Sequence, residues 1–395
     1  MPKIYIKTFG CQMNDRDSEA LLGLFLDKGY GVAESAQEAD LVLVNTCSVR
    51  AHAEDRARSY LGSLRKKGTV PIRGQSPIVG LIGCMAANRG EELFGRMPHI
   101  DLICGPASFA KIPGYVERIV NEKRETKGEG RNRRIIDIND GERQENLYQS
   151  SFRADSDKAQ VIISTGCSNF CSYCVVPYVR GKLRLRKPLD IIDEVKKNIS
   201  SGIKKITLLG QNVNDYRYKL QAVKSQVTSG KRDTPINFVM LLQMVLGIEG
   251  LEELDFITSQ PKNTSKELFT LIEKSPKIRK RLHLPFQSGS NRILKLMNRG
   301  YTKEKYLQLV KDYKKIVGGT ISTDVIVGFP TESDEDFNQT KDIIEKVKFS
   351  HAFIFKYSPR STAKSFELAD DVSADIKIKR HKILLDLQKK ISLGK

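Results

Sequence analysis

Three cysteines stand within eight residues in the stretch Gly166-Cys-Ser-Asn-Phe-Cys-Ser-Tyr-Cys174, spaced C-x3-C-x2-C and preceded by the apolar run Val161-Ile162-Ile163. A loop with this spacing can curl so that three sulfurs face a common centre. Soft thiolate ligands of that kind hold zinc or iron–sulfur clusters. A closed structural zinc site takes four ligands. No histidine occurs between His99 and His283, so zinc would have to borrow its fourth ligand from far along the chain. A cubane held at three irons instead keeps one iron open to a small molecule.

At 395 residues the chain is long enough for two or three domains, each with its own core. No apolar run approaches the length of a membrane span, and Met1-Pro2-Lys3-Ile4-Tyr5 lacks the apolar block of a signal peptide. The expectation is a cytoplasmic protein without a membrane partner. In a reducing compartment, seven cysteines argue for metal binding or catalysis rather than disulfides. The net charge of +19 points to a polyanionic partner. Its distribution adds to this: Arg180-Gly-Lys182-Leu-Arg184-Leu-Arg186-Lys187 carries five cations and no acid directly after the cysteine loop, and residues 274–281 hold a second such run. Either run alone is most simply a solvated face; together they favour nucleic acid.

Strand patterns at residues 3–8, 41–44, 78–82 and 101–103 alternate with helical ones, the first of these from Asp15 to Lys28. This order predicts βαβ units around a parallel, flavodoxin-like sheet in an N-terminal domain over residues 1–120. Cys11, Cys47 and Cys84 each fall just past the carboxyl end of a predicted strand, 36 and 37 residues apart. That edge is where ligands bind in open parallel sheets. Buried free cysteine is the ordinary alternative for any one of them; three in phase are hard to explain by packing. Cys104 follows a fourth strand and reads more simply as a small buried hydrophobe.

Residues 121–150 are charged and glycine-containing, with one short strand pattern among polar stretches, and are read as a linker. Residues 151–374 then carry about six further strand–helix units, the pattern of a partial or closed (β/α) barrel with its chemistry at the strand carboxyl ends. Four polar clusters lie at those ends: Gly210-Gln211-Asn212, Thr258-Ser259-Gln260, Gln287-Ser288-Gly289 and Gly328-Phe329-Pro330. Residues 216–235 read as an inserted polar loop. Residues 375–395 form a C-terminal amphipathic helix with Ile376, Ile383, Leu384, Leu387 and Ile391 on one side.

The C-x3-C-x2-C loop, with Tyr173 before its last cysteine, resembles the signature of the radical S-adenosylmethionine (SAM) enzymes. Phe9-Gly-Cys-Gln-Met-Asn14, Asn45-Thr-Cys-Ser-Val-Arg50 and Gly83-Cys84 are similar to the amino-terminal domain of the methylthiotransferase family within that group. Cys174-Val-Val-Pro-Tyr-Val-Arg-Gly181, Leu208-Leu-Gly-Gln-Asn-Val-Asn214, His283-Leu-Pro-Phe-Gln-Ser-Gly-Ser-Asn291 and Ser322-Thr-Asp-Val-Ile-Val-Gly-Phe-Pro330 extend the likeness along nearly the whole chain. The resemblance implies two 4Fe–4S clusters. Cys167, Cys171 and Cys174 would hold the one that binds SAM and cleaves it to a 5′-deoxyadenosyl radical; Cys11, Cys47 and Cys84 would hold an auxiliary cluster that supplies or relays sulfur. Tyr173, Gln211, Asn212 and Gln287 become candidate cofactor contacts, each equally explicable as a structural polar group. Arg180, Lys182, Arg184 and Arg186 become candidate RNA contacts. The implied partners are tRNA, an electron donor and a sulfur source.

Gly-Cys-Gln-Met-Asn and Leu-Gly-Gln-Asn-Val-Asn resemble most the branch that adds a 2-methylthio group to isopentenyl-adenosine beside the anticodon. Two other branches act on threonylcarbamoyl-adenosine and on an aspartate of a ribosomal protein. The chain departs from the family pattern at Lys182-Leu-Arg-Leu-Arg186, where the family commonly has Glu-Arg-Ser-Arg after the first position, and at Gln260, where the family has histidine. Ser361-Thr362-Ala363 replaces Pro-Gly-Thr, and the expectation is a family member without the RNA-binding TRAM domain that normally follows such a last helix. Two readings from other classes stay open on the residues alone. One is a non-enzymatic iron–sulfur redox sensor, which would not cleave SAM; the other is a zinc-stabilised RNA-binding protein.

Overall fold

The computed structural model describes residues 1–49, 51–66, 77–125, 134–139, 147–148, 152–219 and 235–394. They fall into two compact units: Met1–Ser156 with Val175–Lys182, and Asp157–Cys174 with Leu183–Lys395. Most of the stretches read as linker and inserted loop, and Arg50, lie outside the described residues.

The first unit contains β1 (Lys3–Phe9), α1 (Gln12–Leu26), β2 (Gly31–Val32), β3 (Leu41–Thr46), α2 (Ala51–Lys66), β4 (Ile78–Gly83), α3 (Cys84–Arg96), β5 (Leu102–Cys104), α4 (Ile112–Glu125) and β6 (Ile135–Asp137). The six strands form one sheet in the order β2-β1-β3-β4-β5-β6, every pair parallel. This is the flavodoxin-like order, whose ligand-binding switch point lies between the first and third strands. Every residue of β3 and β4 is buried, which is why both read as unbroken apolar runs rather than alternating ones. The core pairs Val42, Val44, Val79 and Leu81 with Ala57, Leu61, Met85 and Leu93 from the helices. Each larger side chain contributes roughly 1.5–3 kcal/mol by burial.

Three boundaries differ from expectation. α1 begins at Gln12, not Asp15, because Asn14 turns its Oδ1 back to Cys11 and closes the first turn. The two-residue β2 carried too little pattern to be legible. Within the expected linker, α4 runs on to Glu125, while the short strand read there is present, Ile135–Asp137 pairing with Leu102–Cys104 at the sheet edge.

The second unit contains β7 (Lys158–Ile162), β8 (Ser164–Thr165), then, after the segment that groups with the first unit and carries the short α5 (Val176–Val179), β9 (Arg184–Leu185), α6 (Pro188–Ser200), β10 (Lys205–Leu209), β11 (Arg217–Tyr218), β12 (Ile236–Asn237), α7 (Phe238–Leu246), β13 (Glu253–Ile257), α8 (Lys266–Lys274), β14 (Arg281–His283), α9 (Asn291–Leu296), α10 (Lys303–Ile316), β15 (Thr320–Val327), α11 (Asp334–Val347), β16 (His351–Lys356) and α12 (Ala374–Leu393). Two parallel sheets, β13-β10-β7 and β14-β15-β16, make up its wall. They are linked where Leu254 exchanges backbone hydrogen bonds with Lys277 and Arg279, just ahead of β14. Six parallel strands with intervening helices make a partial (β/α) barrel, as expected.

α12 packs against β16 and α11 with the expected Ile383, Leu384, Leu387 and Ile391 against the core, but its buried face also takes in polar residues and leaves out Ile376. Ile376 is exposed, while Lys377, Arg380, Leu384 and Gln388 are buried. Polar pairing is the reason: Arg380 donates to Glu332 and Asp334 at 2.8 Å each, and Gln388 donates to the Phe349 carbonyl.

Gly83 provides a test of the first unit. It sits at φ 95°, ψ −160°, in a region open essentially to glycine alone. A methyl there would overlap Asn45 Oδ1 and lie 2.8 Å from the Thr46 carbonyl oxygen. Gly83→Ala should therefore destabilise the protein by at least about 2 kcal/mol, measured as a lowered urea midpoint with unchanged m-value.

Candidate functional site

In the first unit the strand register does most of the positioning. Phe9 pairs with Thr46, and Thr46 pairs with Gly83, so Cys47 and Cys84 follow equivalent positions on strands about 4.8 Å apart. Cys11, two residues past Phe9, precedes the first turn of α1, and Cys84 is the first residue of α3. Both thiols therefore face helix amino termini, where a thiolate is favoured.

A buried pair of asparagines holds this edge together. Asn14 Nδ2 donates to Asn45 Oδ1 (3.0 Å), and Asn45 Nδ2 donates to the Asn14 carbonyl and Ser18 Oγ (2.9 Å each). The hydrogen bond from Cys47 brings the Cys11 thiol down to about 6, with Arg180 assisting and burial opposing. That same contact and burial push Cys47 well up; burial pushes Cys84 up against the opposing pull of Arg180. Cys104 is buried and held strongly protonated, foremost by burial, in keeping with a packing role.

Arg180 corrects an expectation. Expected among the RNA contacts, it is buried in the first unit, donating from Nε to Cys84 Sγ (3.1 Å) and from Nη2 to Asp17 Oδ2 (2.9 Å). The α5 turn aims it there, its own backbone amide bonding to the Val176 carbonyl. Arg186 is likewise taken up internally, by the Ile162 carbonyl (2.7 Å) and Glu194 (2.5 Å). Lys182 and Arg184 are exposed.

In the second unit the cysteine loop leaves β8 and returns through β9, the two pairing antiparallel at Ser164–Leu185 and Thr165–Arg184. Gly166 at φ 69° and Phe170 at φ 46° supply its bends. The end of α9 anchors it: Ser172 Oγ donates to the Leu296 carbonyl, and Asn298 Nδ2 donates to the carbonyls of Asn169 and Phe170. Asn169 Nδ2 lies 3.4 Å from Cys167 Sγ.

The decisive neighbour is Arg299, which the sequence reading missed. Its Nη1 donates to Cys171 Sγ and Tyr173 Oη at 3.3 Å each, its Nη2 to the Pro285 carbonyl at 3.2 Å, and its Nε to Tyr301 Oη at 3.2 Å. Its only sequence signal is a lone cation in the turn Asn298-Arg-Gly300. Among the described residues no carboxylate forms an ion pair with it. Burial, opposed by Arg299, drives the Tyr173 hydroxyl well up, so it remains a neutral phenol.

The predicted rim is assembled at the strand carboxyl ends. Asn212 is buried and donates from Nδ2 to Gln260 Oε1 (3.2 Å); Asn214 and Gln260 exchange side-chain-to-backbone bonds at 2.9 Å. Gln287, at φ 67°, pairs by its backbone with Asp324 and Ile326. Gln211 is half-buried. Four buried atoms here lack any hydrogen-bond partner among the described residues: Ser164 Oγ, Asn212 Oδ1, Ser259 Oγ and Gln287 Oε1. Each follows a different strand. Orphaned buried polar atoms cost about 1–3 kcal/mol each, and four on one rim fit a site built for a polar ligand such as SAM.

Both triads also fit a cluster. Each sets a buried guanidinium against a sulfur, and Arg180 Nη1 is buried without an acceptor among the described residues, a donor that cluster sulfides would satisfy. No three His, Cys, Asp or Glu side chains among the described residues converge as the ligands of a single ion would. A cubane spreads its thiolates over separate irons and does not need that convergence.

Residues 161–344 match the radical SAM superfamily, and residues 3–105 match the uncharacterised protein family UPF0004. Among solved structures, the radical SAM methyltransferase TsrM from Kitasatospora setae, bound to cobalamin and a 4Fe–4S cluster, shares the fold at TM-score 0.60 and 14% identity, over 92% of this chain and 77% of that one. The fold and site define a radical SAM enzyme. The tRNA-2-methylthio-N(6)-dimethylallyladenosine synthase of Natranaerobius thermophilus is 40% identical over 99% of this chain and 82% of its own length. That of Syntrophus aciditrophicus is 41% identical over 99% and 80%. This chain belongs to the tRNA-2-methylthio-N(6)-dimethylallyladenosine synthase family.

Arg299 yields a prediction. Arg299→Ala removes one of the two donors to the Pro285 carbonyl, leaving Tyr301 Oη, and the donor to Cys171 Sγ and Tyr173 Oη, so it loosens the Cys171 loop and should cost roughly 1–3 kcal/mol in urea unfolding. Arg299→Lys should recover only part of this, because a single ammonium cannot reach the partners that the planar fork holds together.

Proposed function

We propose that this chain adds a 2-methylthio group to N6-isopentenyladenosine (dimethylallyladenosine) beside the tRNA anticodon, with Cys167, Cys171 and Cys174 holding the SAM-binding 4Fe–4S cluster and Cys11, Cys47 and Cys84 the auxiliary one. The observation that carries this reading is the pairing of two separate thiol triads, each on the carboxyl edge of a parallel sheet and each with a guanidinium buried against one sulfur. When bound, the SAM-binding cluster supplies the electron that cleaves the sulfonium, and the auxiliary cluster supplies a site for sulfur.

The chain's own residues do the rest. Arg299 and the end of α9 hold the loop in shape, and Tyr173 stands as a neutral phenol beside it. Asn212 and Gln287, with Ser164 and Ser259, present unmet polar groups to SAM; Gln211, half-buried, lies next to them in sequence. We assign Lys182 and Arg184, both exposed, to tRNA phosphates, in line with the +19 charge. Among the described residues no helix is long and apolar enough to cross a membrane. A tRNA substrate places the reaction in the cytoplasm.

Two measurements test this. Nucleoside analysis of tRNA from cells with and without the gene should show 2-methylthio-isopentenyladenosine only when the gene is present. A change confined to threonylcarbamoyl-adenosine would overturn the substrate. In the purified protein, Cys167→Ala/Cys171→Ala/Cys174→Ala should keep about half the iron and lose 5′-deoxyadenosine formation, by the three-thiolate logic of each site. Cys11→Ala/Cys47→Ala/Cys84→Ala should also keep about half yet still cleave SAM. Complete loss of iron in either would refute two independent sites.

A further inference from the structure

Arg180 does not fit its expected place in a solvated basic run. Its side chain is 1% exposed and that of Asp17 is fully buried. Nε faces Cys84 Sγ and Nη2 faces Asp17 Oδ2, while Tyr148 Oη donates to Asp17 Oδ1 at 2.7 Å. The result is a linear buried chain, phenol to carboxylate to guanidinium to sulfur, closed off from water. A phosphate contact needs an accessible cation. Packing alone needs no charge, and an ion pair buried this completely costs desolvation that an apolar pair would avoid.

We propose that Arg180 is a positioning residue for the first thiol triad, its charge, offset by Asp17, setting the reduction potential of the iron–sulfur cluster that Cys11, Cys47 and Cys84 hold. The inference rests on the auxiliary-cluster reading above. Reduction adds negative charge to a cluster. A fixed cation 3.1 Å from one ligand sulfur stabilises the reduced form and raises the potential, and a nearby anion lowers it. Net charge, hydrogen bonds to sulfur and exclusion of solvent are the levers a protein has on such a cluster, and Arg180 applies all three. Arginine is suited to this because it keeps its proton when buried, and here Cys84 and Asp17 reinforce its charged form against burial. Its Nη1, without an acceptor among the described residues, adds a donor that sulfide can accept. Asp17 keeps the guanidinium oriented, and Tyr148 fixes Asp17.

The test uses the full chain carrying Cys167→Ala, Cys171→Ala and Cys174→Ala, reconstituted anaerobically so that only the first triad can hold a cluster, with the midpoint potential followed by electron paramagnetic resonance. Adding Arg180→Gln should shift the potential negative, and Arg180→Lys should shift it less. Asp17→Asn should shift it positive. An unmoved potential with the cluster in place would overturn the proposal. So would shifts of the same sign in Arg180→Gln and Asp17→Asn, which would mark a merely structural disturbance. If Arg180→Gln does not load iron, Asp17→Asn decides alone: a positive shift supports the proposal and any other result overturns it. Titration with tRNA at several salt concentrations adds an independent readout, in which Arg180→Gln should leave affinity and salt slope unchanged. Reduced affinity with an unmoved potential would return Arg180 to the RNA-binding run. If the parent carrying an intact Arg180 holds no iron, the auxiliary-cluster reading itself fails, and the proposal with it.

Discussion

A guanidinium buried against a cysteine sulfur is the contact on which both sites depend, and among the described residues it occurs once beside each thiol triad. Burying a cation in low dielectric is costly unless an anion or good acceptors compensate it. At Cys84 part of the compensation is a carboxylate, Asp17, with Tyr148 behind it. At Cys171 the Arg299 partners are a sulfur, two phenols and a carbonyl. The second site therefore carries the larger uncompensated positive charge, and thiolates of a bound cluster are its natural counterpart. The two triads share a ligand type and differ in electrostatic setting, as suits two clusters asked to do different work.

Both units solve the problem of presenting thiols in the same way. Parallel strands end at one edge, and the residues just past that edge are aimed by backbone register, not by long side chains. In the first unit the row Phe9–Thr46–Gly83 fixes the level of the triad, and Asn45 Oδ1 with the Thr46 backbone leaves no room for a side chain at residue 83. In the second unit the triad is on one excursion, so the support has to come from elsewhere: α9 and its following turn hold the loop by its carbonyls and by Ser172. The orphaned atoms of Ser164, Asn212, Ser259 and Gln287 belong to residues at or just past strand ends, and Asn212 is also tied into the hydrogen-bond network that Asn214 and Gln260 make. Gln260, which stands where the family has histidine, works inside that network by accepting from Asn212.

The alternation of apolar strand runs with helices, the phase of Cys11, Cys47 and Cys84, and the C-x3-C-x2-C loop were legible in the sequence by itself. They are local: strand periodicity, turn residues and ligand spacing each act over a few residues, and a parallel sheet converts equal spacing along the chain into one edge in space. From them alone followed the sheet, the partial barrel and the two thiol triads. What only the tertiary structure decided was the use of the charged and polar side chains. Arg180 and Arg186 read as members of a basic run, yet one is buried at Cys84 and the other is paired with Glu194, while the unremarked Arg299 grips the cysteine loop. The helix of residues 374–393 turned a stripe of Lys377, Arg380 and Gln388 inward and left Ile376 in solvent. A long cation looks the same in sequence whether water or a buried partner compensates its charge. The choice is made by residues up to 163 positions away, such as Asp17 for Arg180, and only the folded chain brings them within reach.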